Sequence, residues 1–327
     1  MELKYKEPSL ETKKIMSRVA VGKTPLEDKD ISFKEIAEYK IMDITNHKHC
    51  QLVNSGNGAI FIAISSITGH LIIPDQGAWH GFKQIARFLN IPILTVKTNF
   101  GLIDLESLED TLKNLDSNKI NGLILTSFAA YTAEQKIKEI SKFCHSNGII
   151  LIEDASGAIC DLKGQLANGK YSDIIVCSTG SPKILNVEDG GFISTNDKSI
   201  LDDNKILLNS FKTNEITASG IATEIAFVSK NLDDLIKATT YLKNNLNNVI
   251  HSDLRGINVI IKDDNPKDLA WNLKNEFKLD SHGMITKCPN YNRLKIKGVA
   301  IEIKNLNYSE LNKENLDEMI EIITKYQ

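Results

Sequence analysis

Ser172-Asp-Ile-Ile-Val-Cys-Ser178-Thr-Gly-Ser-Pro-Lys183-Ile-Leu-Asn-Val-Glu-Asp-Gly190-Gly-Phe-Ile-Ser-Thr195 is the stretch on which the fold turns. Residues 174–177 form an apolar run of the length of a buried strand. A Ser/Thr/Gly/Pro corner follows and ends on a single lysine, Lys183. Gly190-Gly191 then lead into a second short strand, residues 192–195. Lysines mostly sit on solvated faces, so one held on a turn between two core strands is out of its usual place. A partly buried amine tends to lose its proton, and an unprotonated amine is what Schiff-base chemistry requires.

Working upstream, Ile149-Ile-Leu-Ile-Glu-Asp154 predicts another buried strand, with its acidic pair at the C-terminal end. Ligands of open parallel sheets bind at that edge. A carboxylate and a lysine on adjacent strand ends suit pyridoxal 5'-phosphate: the lysine forms the imine and the aspartate keeps the pyridine nitrogen protonated. A buried Lys183–Asp154 ion pair is the bland alternative, and such pairs are costly to bury. Asn54-Ser55-Gly56-Asn57-Gly58 opens a helix predicted over 59–67. A glycine-rich turn at a helix N-terminus offers free N–H groups and a positive dipole end to an anion, which here makes a phosphate cup.

Between these landmarks strands and helices alternate. Strands are predicted over 71–74, 91–96, 120–126 and 149–154, and helices over 77–89, 105–115 and 133–146. Apolar β-branched runs between amphipathic helices indicate a mostly parallel sheet covered on both faces, a three-layer α/β/α large domain. The expected domains are 1–215, an N-terminal segment with the large cofactor-binding domain, and 216–327, a long connecting helix with a small C-terminal α+β domain. Further helices are predicted over 9–21, 198–208, 217–246, 266–277 and 312–326, strands over 257–261 and 299–303, and a turn over 305–308.

The quoted residues resemble the DegT/DnrJ/EryC1/StrS aminotransferases of the fold-type-I pyridoxal-phosphate enzymes (the aspartate aminotransferase superfamily). The resemblance is carried by Asn54-Ser-Gly56, Glu153-Asp154-Ala155, Ser178 five before Lys183, and Glu188-Asp-Gly-Gly191. It implies a PLP-dependent transferase that moves an amino group to a sugar or other small carbonyl substrate through a Lys183 Schiff base. Lys183 and Asp154 are the implied catalytic pair, and Ser55, Gly56, Asn57 and Ser178 the phosphate ligands. Trp79, or its neighbour His80, is implied to stack on the ring, although a plain packing role also suits a tryptophan. Asn214 matches an asparagine that reaches the neighbouring subunit's phosphate, which implies a homodimer with shared active sites. The chain departs from the family pattern in three places. Asn57 replaces a threonine, Glu215-Ile216 replace a Tyr-Arg pair, and Gly157 stands three after the aspartate where the family carries histidine or glutamine. A different pyridoxal-phosphate reaction (sulfur transfer, β-elimination or decarboxylation) and a non-catalytic regulatory binder of the cofactor are the competing readings. Sulfur transfer needs a mobile reactive thiol, for which Cys160 and Cys288, expected on loops, are the candidates.

Composition narrows the partners. A net charge of −3 gives no overall pull toward nucleic acid or anionic membrane, and no apolar run approaches a membrane span. The N-terminus, Met1-Glu-Leu-Lys-Tyr-Lys-Glu7, shows no apolar leader core, and a cytoplasmic protein is expected. Arginine is scarce, with Arg18, Arg87, Arg255 and Arg293 only, and Arg293 is a candidate carboxylate grip. The five cysteines show no metal-like spacing, and Cys144 and Cys177 are expected to be buried thiols. His47-Lys-His49-Cys50 is expected to be a surface loop rather than a metal site, and Gly22-Lys-Thr24 a chance echo of a phosphate loop. Ser127, at the end of its strand, is a candidate pocket residue. No metal is expected.

Overall fold

The computed structural model describes residues 1–23, 31–113, 119–290 and 294–327. Its centre is a seven-stranded sheet: β1 (His49–Val53), β2 (Leu71–Pro74), β3 (Ile93–Val96), β4 (Asn121–Thr126), β5 (Ile149–Asp154), β6 (Ile174–Ser178) and β7 (Gly191–Thr195). Their order is β1-β7-β6-β5-β4-β2-β3. Every pairing is parallel except the two made by β7. The reversal follows from chain length. The loop from Thr179 to Gly190 holds no crossover helix, and without one the chain can return only antiparallel. β7 then passes its free edge to β1, which sets Val53 opposite Gly191.

Helices cover both faces, and the core lies in two apolar layers either side of the sheet. Gly56–Ser65 is apolar nearly all round, with seven of its residues buried, as a helix enclosed on every side must be. Each fully buried Ile or Leu of these layers contributes about 1.5–3 kcal/mol, so the strands are fixed by burial rather than by propensity. The long helix Glu215–Asn245 packs against Leu10–Ala20 and Phe33–Thr45 and carries the chain toward the small domain. There β8 (Val259–Lys262), β9 (Ile285–Cys288) and β10 (Gly298–Ile301) form an antiparallel sheet in the order β8-β10-β9. Helices Pro266–Glu276 and Lys313–Tyr326 complete this part. The first residues clip onto it: Glu2–Leu3 pair with Lys278–Leu279, and the terminal amine donates to Glu276 O at 2.8 Å.

Several expected elements shift. The helix after β1 begins at Gly56, three residues early, because Ser55 Oγ caps Gly58 N at 3.1 Å. Residues 133–136 are not helical. Ala133–Glu134 pair with Phe128–Ala129, and the helix runs only over Ile137–Ser146. The helix expected over 77–89 is Gly81–Phe88, and the one over 198–208 splits into Lys198–Asp202 and Lys205–Ser210. The expected turn at 305–308 is flanked by short 3-10 turns, Ile303–Asn305 and Tyr308–Glu310. Thr24 and the end of the helix expected over 105–115 lie outside the described residues; within them the helix is Leu105–Leu112.

His47 is a clear correction: it is buried, not on a surface loop. Its Nε2 faces Ser172 O at 3.0 Å, and a carbonyl can only accept, so Nε2 carries the hydrogen. Nδ1 therefore accepts from Ser194 Oγ at 2.9 Å. Burial lowers its pKa to about 4, which keeps the ring neutral. His49 and Cys50 belong to β1.

Candidate active site

The C-terminal ends of β4, β5 and β6 lie side by side, with Asp154 opposite Thr126 on one neighbour and Val176 on the other. Against this edge the N-terminus of Gly56–Ser65 is pressed onto the end of β6. A Cβ added at Gly56 would lie 2.5 Å from Ser178 Cβ, and one at Gly191 would lie 2.8 Å from Gly56 N. Neither position admits a side chain, so the glycines permit the contact that brings Ser55, Gly56 and Ser178 together. Gly190 adopts φ 87°, a conformation that suits glycine, at the bridge that pairs it with Ser55. Asn57 follows in the helix's first turn and is exposed.

Asp154 is 7 % exposed. Its Oδ1 accepts from Ser156 N at 3.0 Å and Ser156 Oγ at 2.5 Å. Burial pushes its carboxyl above the usual range, while the charge of Lys183 and the two Ser156 bonds pull it back. Ser156 Oγ also accepts from Ser178 N at 2.9 Å, which ties the aspartate to the end of the neighbouring strand. Lys183 is half-buried on the loop after β6, its backbone N–H donating to Gly180 O at 2.9 Å. Its Nζ stands 3.0 Å from Tyr131 Oη. The lysine, the aspartate and the helix N-terminus are therefore gathered at one sheet edge.

Other expected residues stand nearby or apart. Asn214 caps the long helix, accepting from Thr217 N at 2.9 Å, and is exposed. The segment that leads to it is anchored beside the cup, since Asn54 N donates to Phe211 O at 2.7 Å and Lys212 bridges to Val53. Trp79 is half-buried and edge-on to Phe82 at 5.8 Å between centroids. It lines a cleft of about 280 Å³ with Gln76, Lys83, Pro289 and Lys295. His80 lies 5.4 Å from it, ring to ring. Ser127 is buried and donates to Glu153 Oε1 at 2.7 Å, which makes it a strut and not a pocket residue. Arg255 is committed to Glu134 and Asp161 at 2.5 and 2.8 Å, and Arg293 lies outside the described residues.

The thiols offer little to sulfur transfer. Cys288 is buried at the end of β9 rather than on a loop, and burial pushes the Cys160 thiol up to about 12. Cys144 and Cys177 are buried as expected, and all five cysteines are free. Among the described residues no His/Cys/Asp/Glu group could hold a metal, and no helix is long and apolar enough to cross a membrane.

Sequence reading gave no role to Ser156 or Tyr131. Ser156 had a usable signal, a hydroxyl two residues past a strand-terminal aspartate, where side chains bond locally. Tyr131 had none, because a left-handed pair of residues brings it to the lysine.

A three-layer α/β/α sheet with one reversed strand, a small C-terminal α+β domain and a lysine loop beside an aspartate-bearing strand define the fold-type-I pyridoxal-phosphate transferase fold. Solved structures agree. Helicobacter pylori PseC, "aminotransferase involved in the biosynthesis of pseudoaminic acid", has a TM-score of 0.77 at 14% identity, covering 100% of this chain and 99% of that one. A DegT DnrJ EryC1 StrS aminotransferase from Brucella abortus has a TM-score of 0.74 at 15% identity, covering 96% and 95%. Serine palmitoyltransferase from Sphingomonas wittichii gives 0.76 at 12%, covering 100% and 86%. The profile of the DegT/DnrJ/EryC1/StrS aminotransferase family matches residues 33–238, and the chain belongs to that family. Residues 229–324 match a second profile, the MJ1341 family C-terminal domain. By sequence the chain is similar to the UDP-4-amino-4,6-dideoxy-N-acetyl-beta-L-altrosamine transaminase of Campylobacter jejuni, 25% identical over 180 residues, 53% of this chain. The chain spans about half the length of that curated relative, 47%.

Proposed function

We propose that the chain is a pyridoxal-phosphate-dependent aminotransferase that moves an amino group from a small-molecule amine donor to a sugar or other small carbonyl substrate. The observation that carries this reading is the meeting of Lys183, Asp154 and the helix N-terminus at Gly56 on one sheet edge. These residues fit the cofactor: an amine to anchor it, a buried carboxylate for its ring nitrogen and unpaired N–H groups for its phosphate. Pyridoxal phosphate is recorded on serine palmitoyltransferase, which shares the fold. The transaminase relative and PseC both act in amino-transfer chemistry by their names.

When bound, the cofactor supplies the electron sink for chemistry at the carbon bearing the amine. Asp154, its carboxylate fixed by Ser156, would hold the proton on the ring nitrogen. The N–H groups of Gly56 and Asn57, together with the Ser55 and Ser178 hydroxyls, would bind the phosphate. Lys183 Nζ would anchor the group, and its free amine would move a proton as acid and base. Trp79, or His80 beside it, offers the aromatic face. Two copies related by a twofold axis share their sites, with the exposed Asn214 of each serving the other. The two-part division at residues 215/216 leaves the cofactor to the first part and substrate contacts to the cleft between the parts. Five free cysteines agree with a cytoplasmic setting.

The test is a donor panel on the holoprotein. Release of 2-oxoglutarate from glutamate, or of the matching oxo acid from another amine, is the expected result. Release of sulfide or pyruvate, or inertness toward every amine, would replace this reaction by another.

A further inference from the structure

Gly157 and Tyr131 compete for one place. A Cβ built on Gly157 would lie 3.0 Å from Tyr131 Cε1 and 3.1 Å from both Tyr131 Cδ1 and Ile257 Cδ1, so the tyrosine ring, with Ile257 beside it, crowds the space that a side chain at 157 would need. The ring ends at Lys183, with Oη 3.0 Å from Nζ. It is held from several sides. Tyr131 has φ 61° and follows Ala130 at 49°, two non-glycine residues in the left-handed region, where surrounding contacts must fix the backbone. Its carbonyl accepts from Ile257 N at 2.8 Å and Asn258 N at 2.9 Å. From the small domain, buried Lys304 stands over the ring at 5.1 Å, paired with Glu302 at 3.2 Å. The charged groups around the hydroxyl include Lys183, Lys304 with its Glu302, and Asp154, whose carboxyl feels Lys183.

We propose that Tyr131 is the proton partner of Lys183 and takes the place left open by Gly157. Its hydroxyl accepts from the lysine when that nitrogen is protonated and donates when it is not, and it stands ready to donate to the bound cofactor's ring oxygen. This rests on the pyridoxal-phosphate reading of Lys183. It extends that reading, because it assigns the role to another strand end and to a residue braced by the small domain. A phenol can donate a hydrogen bond as an imidazole or amide would, so Tyr131 supplies a donor where Gly157 has no side chain.

The experiment compares three loaded proteins: wild type, Tyr131→Phe, and the exchange Tyr131→Gly/Gly157→Gln. Borohydride labelling first establishes whether each carries the cofactor on Lys183. The visible absorbance of the bound cofactor is then titrated with pH. Tyr131→Phe keeps the ring that packs on Gly157 and Lys304, so folding and labelling should persist. Without the hydroxyl to satisfy the ring oxygen, the Lys183 nitrogen holds its proton more tightly. The midpoint should rise by about one pH unit, tenfold in the proton equilibrium. The exchange should bring it back toward wild type, because glutamine at 157 regains the space and supplies a donor. A labelled Tyr131→Phe that titrates within about 0.2 unit of wild type, below the tenfold shift expected here, would overturn the inference and leave the function standing. An unlabelled wild type would overturn both.

Discussion

Glu153 and Asp154 are adjacent carboxylates on one strand, both buried, yet they do different work. Successive strand residues point to opposite faces. Glu153 turns inward, where Ser127 Oγ, Ala167 N and Ser172 Oγ donate to it at 2.7, 2.9 and 2.5 Å. Burial raises its pKa above the usual carboxylate range against the opposing pull of those three donors, and the carboxyl pins the loop before β6 to the sheet. Asp154 turns to the open edge, is held on one oxygen by Ser156, and faces the charge of Lys183. A carboxylate enclosed by neutral protein donors is architecture, whereas one aimed at a lysine on a strand edge is available for chemistry.

The comparison can be broken by removing each carboxylate in turn. Asp154→Ala should lower turnover by about a hundredfold or more, the scale of a lost proton-handling group, while cofactor occupancy falls far less. Steady-state rates with occupancy measured on the same sample check this, and lost cofactor with normal turnover per bound cofactor would contradict it. Glu153→Ala should act on stability, costing roughly 3–5 kcal/mol, because three buried donors lose their acceptor. A urea titration reads that loss, and the folded fraction should still load cofactor.

A third buried group sharpens the contrast through pH. His47 is folded in its neutral form with a pKa of about 4, against about 6.5 when unfolded. Between those values the unfolded chain binds a proton that the native one refuses, so stability rises with pH across that window. The stability it contributes is complete above about pH 6.5 and is lost as pH falls toward 4, by roughly 3 kcal/mol. In His47→Gln the slope of urea stability between pH 4 and 6.5 should flatten, a window set by the same two pKa values.

The smallest effect concerns assembly. If Lys183→Ala and Asn214→Ala are each inactive as homodimers, a mixed dimer holds one site with both changes and one with neither. Co-refolding should restore up to about one quarter of wild-type activity, since roughly half the dimers are mixed and each has one intact site. Mixed dimers that form and stay inactive would show that Asn214 serves its own chain.

Much of this was legible in the chain. The strands of the large sheet stand out because short β-branched runs buried on both faces leave little ambiguity, and the acidic pair ending Ile149–Asp154 marks the edge at which the lysine loop arrives. Asp154 and Lys183 are visible for that reason. What escaped was decided by tertiary contacts. Ala133 to Lys136 has helix-forming residues, but Glu134 is drawn to Arg255 and its backbone joins a hairpin. His47 looks like loop chemistry until Ser172 and Ser194 close around it. β9 went unseen, since Thr286 and Lys287 dilute its apolar pattern. Tyr131 depends on two left-handed residues, which no periodicity encodes.

The central claim is that Lys183 carries the chemistry of this edge. Reducing the cofactor-loaded protein with borohydride and mapping the labelled peptide tests it most directly. The predicted result is a single pyridoxyl label on Lys183, absent from Lys183→Ala. A label on another lysine, such as the buried Lys243 or Lys304, or no label at all, would contradict it.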